Sequence, residues 1–191
     1  MKIYFIGGTS EYSSKIVDSL KTDYGFDIAA VGRTSGHGYP DNKEKILSEC
    51  YESDVIINFT YAEGQQFNLL HDLYRQIEKT NWQGYLINFG STVVFHGRGS
   101  KDNGLEPWQA NRYHAQKKAV QEYGYGISKR FSQNKFRFTQ IQCGMLANEK
   151  MKKLPSYRET CLQAENLSNI LNYLINTPSN WHIHEFIIDA Q

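Results

Sequence analysis

The feature that most constrains this chain is the alternation of strand-like and helix-like segments along it. Short apolar runs read as strands at Lys2 to Ile6, Asp27 to Val31, "DVIINF", "GYLINFG", "FRFTQIQ" and "HEFIID". Between them lie segments with helical spacing. Ser14 to Lys21 puts Ile16, Val17 and Leu20 on one face, and Lys43 to Tyr51 reads as a further helix. Gln65 to Thr80 aligns Phe67, Leu69, Leu70, Leu73 and Ile77. Arg112 to about Ser132 reads as a long helix weakened at Gly124 and Gly126, and Ala164 to Asn176 as the last one. Such alternation predicts an α/β fold: a single doubly wound, Rossmann-like parallel sheet with helices on both faces. One domain is expected over residues 1–191, with a short lid or substrate segment at about 145–163. A ligand site is expected outside the carboxyl ends of the strands.

Bulk properties exclude several classes. A net charge of +1 gives no general attraction to nucleic acid or to an anionic membrane. No apolar run is long enough to span a bilayer, and the first residues enter a strand rather than a signal peptide. Cys50, Cys143 and Cys161 are far apart and odd in number, which argues against a disulfide framework or a zinc site. The six histidines show no metal spacing, so no metal is expected. The chain reads as a reduced, cytoplasmic protein.

The first strand runs into "GGTSEYSS". Gly7 and Gly8 can let the backbone approach a pyrophosphate, and Thr9, Ser10, Ser13 and Ser14 add hydroxyl donors. Glu11 would repel a pyrophosphate if it faced one; pointing outward, it suits the start of a helix. Taken alone, the turn does not separate a phosphate cradle from a plain strand-to-helix turn. The second strand ends in "VGR". An arginine there suits a ribose 2′-phosphate, so Arg33 favours NADP(H), with NAD(H) as the alternative.

"YHAQK" places Tyr113 and Lys117 one helical turn apart on one face. A free phenol has a pKa of about 10. A neighbouring ammonium favours its ionised form, so the pair suits proton transfer to or from an alcohol.

With these residues in place, the chain resembles the short-chain dehydrogenase/reductase family over nearly its whole length. "IGGTSEYS" is similar to the family's "TGGTSGIG", with Glu11 at the second glycine and Ser13 at the third. "DVIINFTYAEG" is similar to "DVLINNAG", matching at Asn58 and departing at Phe59, Thr60 and Tyr61. "LINFGST" resembles the strand ending at the active-site serine, and "IQCGMLAN" resembles "VRPGxVxT", with Cys143 for the proline and Asn148 for the threonine. "LQAENLSNILNYLINTPSNWHIHEFIID" resembles the closing helix and strand.

The resemblance implies a compact NADP(H)-dependent oxidoreductase interconverting a small-molecule carbonyl and alcohol. Tyr113 would exchange the proton, Lys117 would lower its pKa and hold the cofactor, and Ser91 or Thr92 would hold the substrate oxygen. Asn68 would hold a relay water. Gly7, Gly8, Thr9, Ser10, Tyr12, Ser13, Arg33, Asn58, Lys117, Gly144 and Asn148 would bind cofactor. Pairing into a homodimer or homotetramer is implied as well. "YGISK" repeats the spacing at Tyr125 and Lys129. The active-site helix must cross the sheet, which takes some four or five turns at about 1.5 Å per residue. Tyr113 leaves room for those turns before "FRFTQIQ" and Tyr125 does not. "STVVFHG" and the long loop before Tyr113 keep a sugar-nucleotide epimerase or reductase open. Glu11, the lost "NNAG" and Cys143 keep a non-catalytic dinucleotide-binding protein open.

Overall fold

The computed structural model describes residues 1–61, 64–96, 106–130, 133, 135–154 and 160–189. The first half contains β1 (Lys2–Ile6), α1 (Glu11–Thr22), β2 (Asp27–Val31), α2 (Lys43–Glu49), β3 (Val55–Asn58) and α3 (Gln65–Thr80). It is followed by β4 (Tyr85–Phe89), α4 (Val93–His96), α5 (Pro107–Ser128), β5 (Arg137–Cys143), α6 (Glu149–Lys152), α7 (Ala164–Asn176) and β6 (Glu185–Ile188). The strands form one six-stranded sheet in the order β2-β1-β3-β4-β5-β6, every pair parallel. The chain leaves β1 for β2 on one side and crosses to β3 on the other. The direction of winding therefore reverses between β1 and β3, and the crevice at such a reversal is where this architecture takes ligands.

A parallel sheet is covered on both faces, so its strands carry apolar residues at successive positions. Ile3 and Phe5 point to one side, with Ile57 and Ile87, and pack on Ile16 and Leu20 of α1 and Leu167 and Leu171 of α7. Tyr4 and Ile6 point to the other, with Ile56 and Leu86, and pack on Leu69 and Leu73 of α3 and Val120 of α5. At the carboxyl ends this second face turns polar. Asn58 Nδ2 donates to Asn88 Oδ1 at 2.7 Å, and Asn88 Nδ2 donates to Gln140 Oε1 at 3.0 Å. Each of these two buried bonds pairs an amide donor with an amide acceptor away from water, while Gln140 Nε2, at the end of the row, is left without a partner among the described residues.

The sequence expectations place the elements well and their ends less well. α1 begins at Glu11 rather than Ser14, because Ser10 caps it. α5 begins at Pro107, which suits the first turn of a helix, and runs through Gly124 and Gly126 to Ser128. The "GRTSGHGYPDN" loop carries a turn of 3₁₀ helix at Arg33–Ser35. The segment expected as a lid holds α6 and a parallel bridge between Leu146 and Leu162. Much of the polar loop before Glu106 lies outside the described residues. Cys50, Cys143 and Cys161 are buried and unpaired with one another. No described helix is long and apolar enough to cross a membrane.

Candidate active site

The turn after β1 is built to come close to β3. Gly7 has φ +88, and a Cβ there would lie 2.8 Å from the Phe59 carbonyl. Only glycine tolerates both the left-handed backbone and that approach. The Gly7 and Gly8 N–H groups both donate to Val31 O, at 2.8 and 3.2 Å, which ties the turn to the end of β2. Ser10 and Ser13 then form a capping box: Ser10 Oγ accepts from Ser13 N, and Ser13 Oγ accepts from Ser10 N at 3.0 Å. Ser13 Oγ also donates to Gly7 O at 2.7 Å. Glu11 lies on the exposed start of α1 and pairs with Lys15 at 3.5 Å, one turn on. The first-turn amides of Glu11 and Tyr12 have no helical carbonyl to meet. Those amides and the close glycine turn fit an anionic pyrophosphate.

Beside this turn, Thr34 Oγ1 donates to Thr9 O at 2.6 Å and lies 2.5 Å from Thr9 Oγ1. Arg33 is exposed at the same corner and makes no ion pair among the described residues.

A second group of side chains collects beyond β4 and β5. Tyr113 Oη donates to Ser91 Oγ at 3.4 Å. The Ser91 loop is held from below, since Ser91 N donates to Gln142 Oε1 at 2.8 Å and Gln142 Nε2 donates to Glu185 Oε1 at 3.0 Å. A Cβ on Gly90 would meet Gln142 Oε1, so a side chain there would displace the amide that holds Ser91 N. Lys117 is only 6% exposed. Its Nζ donates to Gln66 Oε1 at 2.6 Å. It lies 5.2 Å from the centre of the Tyr61 ring and 5.7 Å from that of Tyr113. The two rings meet edge to face at 5.5 Å. Burial pulls the Lys117 ammonium down to about 8, while Cys143 acts to raise it. Burial also pushes the Tyr113 phenol up to about 12; its contact with Ser91 lowers it, and Tyr61 and Cys143 raise it. Cys143, with Sγ 3.6 Å from Gly90 O, is pushed up to about 11 by burial, against the pull of Lys117.

No protein-family model matches the chain, and no curated protein matches its sequence. Solved structures match it in three dimensions. The protein lin1944 from Listeria innocua superposes with a TM-score of 0.72 at 14% identity, over 98% of this chain and 99% of that one. The 3-alpha-hydroxysteroid dehydrogenase from Pseudomonas sp. B-0831, complexed with NADH, gives 0.71 at 10% identity, over 99% and 95%. A short chain dehydrogenase from Leptospira borgpetersenii with bound NAD+ gives 0.67 at 16% identity, over 98% and 91%. The chain has the short-chain dehydrogenase fold.

Within this short-chain dehydrogenase fold, the expected site residues separate into those that meet and those that do not. Tyr113, Ser91 and Lys117 come together at the carboxyl ends of the strands. Thr92 is buried beside them, its N–H bonded to Cys143 O at 3.0 Å, and Ser91 is the hydroxyl that Tyr113 reaches. Tyr125 is 56% exposed, its ring under Lys129 Nζ at 4.3 Å and outside this cluster.

The structure places the other expected residues as follows. Asn68 is exposed on α3 and bonds Gln65 at 3.3 Å, because the two residues from Gln66 to Asn68 turn the side chain by about 200° around the helix. Gln66 on the same helix is the residue that reaches Lys117. Asn58 is fully buried, and its side chain pairs with Asn88 and braces the sheet. Tyr12 is buried, donates to Leu162 O at 2.7 Å and stacks near Phe59, so its ring is core. Ser13 is fully buried, and its hydroxyl is consumed by the turn. Gly144 N donates to Ile188 O at 2.8 Å, joining β5 to the end of β6. Asn148 caps α6, accepting from Met151 N at 2.9 Å. The expected ionisation of the phenol is corrected. An ammonium one turn away was expected to depress it; instead the cost of burying its charged form raises it, and the contact that lowers it is the one with Ser91. Gln66 and Tyr61 were missed because nothing local in the sequence links them to Lys117.

Proposed function

We propose that the protein is an oxidoreductase of the short-chain dehydrogenase/reductase type that interconverts a carbonyl and an alcohol with a nicotinamide dinucleotide, NADP(H) in preference to NAD(H). The observation that carries this reading is the Tyr113 phenol in contact with Ser91, with the Lys117 ammonium buried one turn further along the same helix. The glycine turn, the first-turn amides of α1 and the exposed Arg33 support a phosphorylated dinucleotide in the crevice between β1 and β3. Bound there, the nicotinamide supplies or accepts the hydride.

The chain's own residues do the rest. In reduction the substrate oxygen sits against Tyr113 Oη and Ser91 Oγ. Ser91 donates a hydrogen bond to that oxygen as negative charge grows on it. Tyr113, neutral at ordinary pH, gives its proton to the same oxygen. In oxidation the proton returns to Tyr113, and the positive charge of Lys117 favours the phenolate that must accept it. Glu11, turned outward toward Lys15, does not oppose the pyrophosphate.

Titration calorimetry with NADPH and NADH, followed by turnover of a panel of carbonyls, tests the reading. Failure to bind either dinucleotide would refute it. Binding without turnover would favour a dinucleotide-binding protein that does not catalyse.

A further inference from the structure

We propose that Gln66 is the positioning residue of Lys117: its neutral amide fixes the ammonium beside Tyr113 without cancelling the charge. This inference rests on the oxidoreductase reading of the same site. Gln66 is 5% exposed and committed at both ends. Its Nε2 donates to the carbonyl of Phe89 at the end of β4, and its Oε1 accepts from Lys117 Nζ at 2.6 Å. The orientation of the amide is not ambiguous. A carbonyl only accepts and an ammonium only donates, so nitrogen must face Phe89 and oxygen must face Lys117. One side chain thus links α3, β4 and α5 at the point where Lys117 is needed.

The surroundings explain why positioning is required. A cavity of about 90 Å³ lies between α3 and α5, lined by Tyr61, Gly64, Gln66, Gln116, Lys117 and Val120. It is large enough to admit water. Without the Gln66 acceptor, the flexible lysine can turn into that space and away from the phenol.

They also explain why the partner is an amide. The titratable groups around Lys117 are Tyr61, Tyr113 and Cys143. Burial keeps the Tyr113 phenol and the Cys143 thiol neutral at ordinary pH. Among the described residues no carboxylate pairs with Lys117. A carboxylate at position 66 would hold the lysine as firmly, but the ion pair would present little net charge to the phenol. A purely structural role predicts the opposite, that a glutamate of the same shape does no harm.

Gln66→Glu and Gln66→Met in the full chain separate these cases. Competitive amine labelling of Lys117 against pH reads its charge state and needs no turnover. In Gln66→Glu the labelling midpoint should rise by more than about one pH unit, since an opposite charge in contact favours the ammonium. Alcohol oxidation at pH 8 should fall about tenfold, with its pH profile displaced upward and the KM for the dinucleotide little changed. Gln66→Met, checked for folding by circular dichroism, should lose turnover at every pH because the lysine is no longer held. A Gln66→Glu variant with the parent's midpoint and pH profile would overturn the proposal. A displaced midpoint, with no carbonyl turned over by the parent protein, would instead refute the oxidoreductase reading and leave the Gln66–Lys117 contact standing.

Discussion

Tyr113 Oη lies 3.4 Å from Ser91 Oγ, a contact made across 22 residues of sequence by the carboxyl end of β4 and the first half of α5. The distance is long for a hydroxyl pair, whose usual separation is about 2.7–2.8 Å. A substrate oxygen bonded to both hydroxyls would draw on the same two groups. Tyr113→Phe is therefore expected to lower turnover by about 10²–10⁴ while dinucleotide binding survives. Tyr125→Phe should leave turnover near that of the parent, because Tyr125 stands in solvent. Steady-state rates for the two variants check this, and loss of activity in Tyr125→Phe alone would reverse the assignment.

The ionisation of Tyr113 can be read without any substrate. Burial holds its phenol at about 12, above the ordinary value of 10.0. Subtracting the alkaline absorbance titration of Tyr113→Phe from that of the parent should reveal one tyrosinate forming near pH 12. In turnover, the group that must lose its proton to act as a base is the phenol, so alcohol oxidation should climb with pH and carbonyl reduction should not. A difference titration centred below pH 10 would mean that Lys117, not burial, controls the phenol.

Lys117 carries a stability signature of its own. Its folded-state value of about 8 lies below the ordinary 10.5, with burial as the main cause. The unfolded chain therefore binds more protons between these values, and stability rises with pH through that window. The gain is fully present above 10.5 and is lost as pH falls through about 8. The gap corresponds to about 3 kcal/mol. Denaturant unfolding of the parent and of Lys117→Met should show the difference between them shifting in the parent's favour by about that amount from pH 8 to 10.5. A difference that stays constant would show that the ammonium is well solvated in the folded protein.

Arg33 tests cofactor choice. It is exposed, so its contact with a 2′-phosphate should lie at the low end of charge-assisted hydrogen bonds, about 1.5 kcal/mol. Arg33→Ala should weaken NADPH binding about tenfold and leave NADH unchanged. Calorimetry with both dinucleotides decides it, and equal losses would remove Arg33 from phosphate recognition.

Ser13 tests the unusual turn. Its hydroxyl completes the cap of α1 and donates to Gly7 O at 2.7 Å. Restoring the glycine of the short-chain dehydrogenase pattern should therefore destabilise this chain. Ser13→Gly should cost about 1–2 kcal/mol in chemical denaturation, from the lost cap and the unpaired carbonyl. An unchanged or higher midpoint would mean the serine is incidental.

The sequence by itself determined what depends on neighbours along the chain. Alternating apolar periods predict the parallel sheet and its two covered faces, and α3 and α7 fall on the residues expected for them. Gly7 is legible because a strand-to-helix turn calls for glycine there. Tyr113 and Lys117 are legible because i and i+4 share a helix face. Only the tertiary structure decided which partners those residues meet. Gln66 and Lys117 are 51 positions apart, and their contact depends on how α3 is rotated against α5. That rotation also turns Asn68 outward, and the loop after β4, held by Gln142 and Cys143, brings Ser91 rather than Thr92 to Tyr113. Asn58, Tyr12 and Ser13 look like site residues in a linear reading and prove to be buried by the register of strands and turns around them. The state of the phenol was likewise beyond the sequence. Desolvation is the sum of everything packed around a group, and at Tyr113 it is the largest influence and raises the phenol.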